Sequence, residues 1–345
     1  MISLPGLIDS HVHFRTPGQS HKEDFTTGTE AAIAGGYTVV LDMPNNLEPI
    51  TTFERLQTKK KIAKKQIISD IGFYFGSLGD NLDEFEKIHQ EVFGLKLYLN
   101  KTTGNFIINK ENLLRIYDAW PRSLPILVHA EEDVIDLVID ICKKTKKKTH
   151  ICHVTSKYEL SAVINAKKKG FPITCGVTPH HLFLSKKDLK KLGPFGLVKP
   201  PIKKADKDFL WDNLKYIDVI ESDHAPHTKS EKRSAEPPFG MPELETTLGL
   251  LLRAVSQDCL SVKDIKRLCH GGPSKIFGIR QNSKIIIDEN EEWIVRGKEL
   301  FTKCKWSPFE GWKLKGRVKK VYIRNKLVFE SGKILAKPGF GKIIS

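Results

Sequence analysis

The sequence predicts an α/β protein built as a (β/α)8 TIM-like barrel with a small β-rich appendage at its carboxy end. Two observations carry that prediction. Eight short apolar, β-rich segments alternate with helical stretches over the first 255 residues, and the segments are near-continuously apolar. Strands buried on both faces by crossover helices read this way, whereas half-exposed strands alternate apolar and polar residues. Beyond residue 280 the pattern switches to short strands separated by turns, which marks the appendage.

In chain order, the expected strands are Leu4 to Phe14, Tyr37 to Met43, Ile67 to Phe75, Leu95 to Leu99, Ile126 to His129, His150 to Val154, Ile173 to Val177 and Val219 to Ser222. Between them, helical periodicity or composition covers Lys22 to Ala34, Thr52 to Lys64, Asp80 to Gln90, Lys110 to Ala119, Glu131 to Lys144, Lys157 to Lys168 and Asp206 to Leu214, with a further helix at Glu243 to Val255. Val262 to Cys269 and Pro273 to Phe277 also read as helical. Ile285 to Ile287, Trp293 to Val295, Val318 to Arg324 and Lys326 to Glu330 read as strands, with Arg324-Asn325-Lys326 as a turn. The expected units are a barrel over 1–280 and an extension over 281–345 that packs on it. An open doubly wound sheet is the structural runner-up.

Composition sets the class. The 345 residues suffice for a barrel of about 250 residues plus an appendage. With 40% hydrophobic and 28% charged residues the chain reads as an ordinary globular protein. No apolar run approaches the roughly 18 to 20 residues of a membrane span, and no signal peptide is evident, so a cytoplasmic location is expected. The six cysteines form no paired framework and read as reduced thiols. The net charge of +15 comes with lysine runs at 59–61, 143–148 and 167–169. These runs lack interleaved aromatics and any nucleic-acid motif, so they read as solvated helix faces, and neither nucleic acid nor membrane is an expected partner.

In a barrel of this kind, chemistry sits where strands end and enter the following loops. Polar residues gather at those ends: His11, His13 and Arg15 after the first strand, Asp42 and Asn45 after the second, His129 and His153 after the fifth and sixth, and Asp223, His224 and His227 after the eighth. Residues two apart on a strand share a face, so His11 and His13 present two imidazoles side by side. Imidazole is the commonest zinc ligand. Any one histidine here could be a hydrogen-bonded core residue; their shared placement at one mouth argues for a site. Lys96, inside the fourth strand, is costly to bury as an ammonium ion. Either its amine reaches the mouth along a packed stem, or it has reacted with carbon dioxide to form a carbamate that can bridge two metals.

The segments PGLIDSHVHFRTPG, LDMPN, GLKLYLN, LVHAEE, HICHV, SDHAPHT, EKRSAEPPFGMPELET and WSPFEGWKLKG, in this order, resemble the dihydroorotases of the amidohydrolase superfamily. The resemblance spans nearly the whole chain and is nearest to the compact form found within the animal multifunctional pyrimidine protein. It implies a metal-dependent hydrolase barrel that closes N-carbamoyl-L-aspartate to L-dihydroorotate in pyrimidine biosynthesis, and opens it in reverse. It further implies two divalent metal ions, usually zinc: His11, His13 and Asp223 hold one, His129 and His153 the other, and carboxylated Lys96 bridges them. Asp223 is the implied proton carrier. Arg15, Asn45 and His227 are implied to grip the substrate carboxylate, with Thr102, Lys199 and the main chain at Phe239 and Gly240 as further substrate contacts. His224, His180 and His181 are expected to be supporting groups, and Lys22, Glu23 and Asp24 surface charges opening a helix. A homodimer or a complex with an aspartate transcarbamoylase is the implied partnership.

Departures from the family pattern carry their own expectations. Gly176 stands where animal relatives have glutamate, so a further metal using that carboxylate with Cys152 is not expected, and Cys152 reads as a packed thiol. Thr103 replaces an aromatic residue in the loop after the fourth strand, with Phe106 as the candidate substitute. Lys199 replaces arginine or asparagine. The chain starts directly at PGLIDSHVH, so the carboxy-terminal β segment is expected to pack differently from its relatives or to use a partner. The rival functions are a hydantoinase, dihydropyrimidinase or allantoinase, and an inactive scaffold for a transcarbamoylase.

Overall fold

The computed structural model describes residues 1–102, 106–202 and 204–345, with backbone alone at 204 and 205. Thr103 and Gly104, on which the loop expectation fell, lie outside the described residues. The barrel strands are β2 (Leu7–Val12), β3 (Tyr37–Asp42), β4 (Asp70–Phe73) with its continuation β5 (Phe75–Gly76), β6 (Leu95–Tyr98), β7 (Ile126–His129), β8 (Thr149–Ile151), β9 (Ile173–Val177) and β10 (Val219–Ile220). They are parallel and run in sequence order as a three-stranded sheet, β2-β3-β4, and a six-stranded sheet, β5 to β10. Only Tyr74 separates β4 from β5, and on the other side a parallel bridge from Val12 to His224 joins the first strand to the eighth. The eight strands thereby close into a barrel, the one arrangement that leaves no unpaired parallel edge.

Helices between the strands are α1 (Phe25–Ala34), α2 (Phe53–Gln66), α3 (Phe85–Ile88), α4 (Leu113–Ala119), α5 (Ile135–Thr145), α6 (Lys157–Lys168), α7 (Pro179–Phe183), α8 (Lys186–Leu192) and α9 (Lys204–Asp212). After β10 come α10 (Lys229–Lys232), α11 (Leu244–Val255), α12 (Val262–Lys266) and α13 (Gly272–Phe277). Their starts follow local chemistry. Ser156 accepts from the Glu159 amide while Glu159 reaches back to the Ser156 amide, a reciprocal cap that fixes the start of α6. Asp24 caps α1 in the same way with Thr27, so α1 begins at Phe25 and not at Lys22. That helix seats itself on the barrel through a chain of edge-to-face rings, Phe14 to Phe25 to Phe73, with centroids 6.3 and 6.2 Å apart. Each such pair adds about 0.5–1.5 kcal/mol beyond its burial.

The β-rich end is a five-stranded sheet ordered β1-β11-β12-β13-β14, formed by β1 (Ile2–Pro5), β11 (Ser283–Ile294), β12 (Lys313–Ile323), β13 (Lys326–Glu330) and β14 (Lys333–Ile334). Its edge strand β1 comes from the other end of the described chain and pairs antiparallel with β11, Ile2 opposite Ile287. The first apolar segment is therefore two strands, split at Gly6, whose close approach to Thr38 leaves no room for a side chain. The expected strands Ile285 to Ile287 and Trp293 to Val295 merge here into the single long β11, while Val318 to Arg324 and Lys326 to Glu330 stay separate as β12 and β13. Arg324 and Asn325 adopt left-handed backbone, the geometry of a two-residue hairpin turn that matches the twist of its strands.

The lysine runs are not uniformly solvated. Lys59 is fully buried on the inner face of α2, where its Nζ lies 2.7 Å from Asp42 and donates to Met43 O and Asn46 Oδ1. Lys147 is buried over the end of α4, donating to Asp118 O and Trp120 O. A long stem let each charge reach a carboxylate or carbonyls, something composition could not reveal.

Candidate active site

The sequence placed two imidazoles, a carboxylate and further histidines at strand ends, and the closed barrel brings them to one mouth. His11 Nε2 and His13 Nε2 lie 3.3 and 2.9 Å from the same Asp223 oxygen. His129 Nδ1 lies 3.0 Å from His153 Nε2, and the His11 and His153 rings are 5.3 Å apart between centroids. Val12, between the two histidines, is fully buried in the core behind the strand, as the two-residue alternation requires.

Backbone strain concentrates at this mouth. Arg15, His153 and Asp223 have φ of +59°, +38° and +47°, in the left-handed region that non-glycine residues avoid. Such conformations cost of order 1–3 kcal/mol each and persist where the surroundings over-determine them, typically at functional sites. Arg15 reaches the cleft from the segment beyond β2, not from the strand face.

Electrostatics suit the histidines to hold a cation. Burial pushes His13 down to about 4 and moves His129 and His153 below their ordinary range, so these imidazoles are neutral and carry an available lone pair. Burial alone would raise Asp223, but the field of His11, with His13 and His153 adding to it, holds it well below the usual carboxylate range. Buried nitrogens at His11 Nδ1, His129 Nε2 and His153 Nδ1 lack hydrogen-bond partners among the described residues. His13 Nδ1 is 2.7 Å from Asn45 Oδ1, which selects the tautomer with the proton on Nδ1. Its bare Nε2 then faces an ionised Asp223 oxygen, two acceptors that require a proton or a cation between them. The donor set fits a divalent metal.

Lys96 is fully buried, its Nζ 3.0 Å from Cys152 Sγ and 5.0 Å from the centre of the Tyr98 ring. No ion pair to it is found among the described residues. The amine lies close enough to His129 and His153 that its charge is among the influences that lower both.

The sequence reading overlooked a second carboxylate. Glu221, fully buried, accepts from the His153 amide at 2.6 Å and lies 3.6 Å from both His11 Nδ1 and His150 Nε2. Its side chain fills the space beside Gly176, where an added Cβ would come within 2.5 Å of the Glu221 oxygen. Glu221 thus places a carboxylate in the space beside Gly176. Cys152 is a buried thiol, and with His11 and Glu221 it offers donor atoms within 4.8 Å of one another. The legible signal was Glu-Ser-Asp at the end of an otherwise apolar strand.

The adjoining cleft has about 400 Å³ of empty space, its open mouth included, and is lined by Arg15, Asn45, Thr102, Lys199, Phe239 and Gly240 together with the histidines and Asp223. Burial lowers Arg15 only to about 10, so it stays charged at neutral pH. His227 stands behind it, with Nε2 2.9 Å from Arg15 Nη2 and 2.9 Å from Phe239 O. Phe106 packs against Tyr98, ring centres 5.7 Å apart, on the floor of the same loop. Gly240, at φ +128°, could not carry a side chain: a Cβ would meet Ala225 O at 2.6 Å.

The supporting groups include two that had been taken for surface charges. Glu23 is fully buried and ties His224 Nε2 (3.4 Å) to the Thr302 hydroxyl and the Lys303 amide. Lys22 is buried with its Nζ 3.3 Å from His227 Nδ1 and 3.1 Å from Glu231. Polar Lys-Glu-Asp before a helix looks exposed until the carboxy-terminal segment folds over it. His224 and His180 each engage Glu243, through its amide and its carboxylate, while His181 bridges Thr178, Thr155 and Pro200 O.

Residues 2–175 match the amidohydrolase family. Over 99% of its length the chain is 35% identical to a dihydroorotase of Pyrococcus horikoshii and covers 84% of it. The chain belongs to the amidohydrolase family, among the dihydroorotases. It is also 42% identical, over 99% of its length, to multifunctional protein CAD of Squalus acanthias, of which it spans only 16%. Among solved structures, the chain superposes on L-hydantoinase from Arthrobacter aurescens with a TM-score of 0.95 at 24% identity, covering 99% of this chain and 88% of that one, a likeness of fold. It superposes on an inactive dihydroorotase-like domain of a Chaetomium thermophilum CAD-like multifunctional protein with a TM-score of 0.85 at 26% identity, covering 100% and 99%. No helix among the described residues is long and apolar enough to cross a membrane.

Proposed function

We propose that this chain interconverts L-dihydroorotate and N-carbamoyl-L-aspartate, the cyclising direction serving pyrimidine biosynthesis, with residues 1–280, β1 excepted, as the catalytic barrel and 281–345, joined by β1, as its extension. One observation carries the substrate assignment: a buried, charged Arg15 in the same cleft as the histidine and aspartate donors. A cation held there at the cost of burial calls for an anion, and dihydroorotate brings a carboxylate where hydantoin and uracil rings bring none.

His11, His13 and Asp223 would hold one divalent cation, His129 and His153 a second, and carboxylated Lys96 would bridge them; zinc is the expected metal, and the pair would lower the pKa of a water and polarise the ring amide. The chain's own groups do the rest. Arg15 and Asn45 take the substrate carboxylate, with His227 fixing the guanidinium from behind. Thr102, Lys199 and the main chain at Phe239 and Gly240 orient the ring. Asp223, ionised in the resting protein, accepts the proton of the attacking water as its oxygen bonds to the carbonyl carbon. As the carbon–nitrogen bond breaks, Asp223 returns that proton to the departing nitrogen.

Zinc-loaded protein should hydrolyse L-dihydroorotate in preference to hydantoin and allantoin. Arg15→Met should raise KM for dihydroorotate by about tenfold to a hundredfold, the loss of one charge-assisted contact, with metal content unchanged. Turnover of hydantoin instead would transfer the chain to the hydantoinases. Bound metal with no turnover of any of the three would favour the inactive scaffold, although the donors whose loss marks such a scaffold are all present.

A further inference from the structure

One buried charge is left over by this scheme. Lys232, on the last turn of α10, is fully buried, and among the described residues no carboxylate pairs with it. Its Nζ donates to three main-chain carbonyls: Pro238 O at 2.8 Å, Gly240 O at 3.1 Å and Leu197 O at 3.3 Å. It also lies 5.9 Å from the ring centre of Trp306, whose indole N–H donates to His227 O at 2.7 Å. The Gly240 amide donates to Leu197 O at 2.9 Å, and the His227 ring meets Phe239 O. Two chain segments, around 197 and 239, thus converge on one amine, and each carries residues of the substrate cleft, Lys199 on one and Phe239 and Gly240 on the other.

We propose that Lys232 is a positioning residue for substrate: its ammonium group holds the Leu197 and Pro238–Gly240 main chain in the geometry that receives the substrate ring. The proposal rests on the function proposed above. Lys232 touches no metal-ligand residue and does not itself line the cleft, so it acts through the segments it binds. Burial, aided by nearby Arg15, pushes its amine down to about 7, and in either protonation state it keeps N–H donors for these carbonyls. A packing role alone would be met by methionine, which has similar length and no charge. The three carbonyls are what require a donor. Small displacements of groups that orient a substrate weaken its capture strongly, while chemistry at the metal ligands, held by other strands, is left in place.

The test compares Lys232→Met and Lys232→Gln with the wild-type full chain, zinc-loaded. For Lys232→Met, KM for L-dihydroorotate should rise by about tenfold or more while kcat stays within about threefold and zinc content is unchanged. Lys232→Gln keeps two N–H donors and should fall between Lys232→Met and wild type. Amide hydrogen exchange of the 238–241 segment should be faster in both variants, a readout that needs no catalysis. The proposal is overturned if KM and exchange stay at wild-type values, if kcat or zinc content falls with KM unmoved, or if neither variant folds, since Lys232 would then be purely structural. Wild-type protein that binds zinc but leaves dihydroorotate intact would refute the proposed function instead, and the exchange measurement would still decide the role of Lys232.

Discussion

His13 shows how much one side chain can be asked to do. Asn45 takes its Nδ1–H, Asp223 faces its Nε2, and burial keeps it neutral, so tautomer, orientation and charge are all set before any metal arrives. Lys96 is the opposite case, a buried amine whose neighbours are a thiol and an aromatic face. Its carbamate role makes a direct prediction: Lys96→Ala should abolish turnover and lower bound zinc, and added short carboxylic acids should restore part of both. Full turnover without such acids would exclude the role. The histidines, Asp223, Arg15 and Lys96 could be read from the sequence, because strand ends and a two-residue period locate them. Glu23 and Lys22 could not, because their partners lie more than two hundred residues away along the chain, and Glu221, though marked by Glu-Ser-Asp, takes its place only beside His153, Gly176 and His11 of other strands.

At the scale of elements, the second βα unit depends on a buried ion pair. Lys59 crosses from α2 to Asp42 at the end of β3, and Asp42 also accepts from the Phe14 amide at 2.9 Å, just past His13. Removing one partner leaves the other charge buried and unmatched. Lys59→Met should therefore cost about 3–5 kcal/mol in denaturant unfolding, and the double variant Lys59→Met with Asp42→Asn should be less destabilised than the two single losses combined. A cost below about 1 kcal/mol would mean that the pair is accessible to water. The helical period showed that α2 exists, but not that one of its lysines faces inward, since a long stem hides its destination.

For the whole molecule, the barrel and the carboxy-terminal segments are joined through buried acids. Glu245, in the first turn of α11, accepts from the Phe301 and Thr302 amides, and burial pushes its carboxyl up to about 7. In the unfolded chain it ionises near 4.5. Between these values the folded state keeps a proton that the unfolded state has lost, so this group's contribution to stability falls as pH rises from about 4.5 to 7 and is constant above. Glu245→Gln removes that dependence. Relative to wild type, the variant should gain roughly 2 to 3 kcal/mol between pH 4.5 and pH 7.5, measured by urea unfolding at both. A difference that does not change with pH would show that Glu245 ionises normally.

The sequence by itself determined the barrel, its eight strand positions and the residues that meet at its mouth, because strand period, apolar runs and the polar residues that end them are local properties. Tertiary structure alone decided that Ile2–Pro5 completes the carboxy-terminal sheet, that Glu221 occupies the space Gly176 leaves, and that Lys232 joins the Leu197 and Pro238–Gly240 segments. Each of these rests on contacts between separate segments of the chain. A buried charge and a solvated one have the same letter in a sequence, and only the closed fold tells them apart.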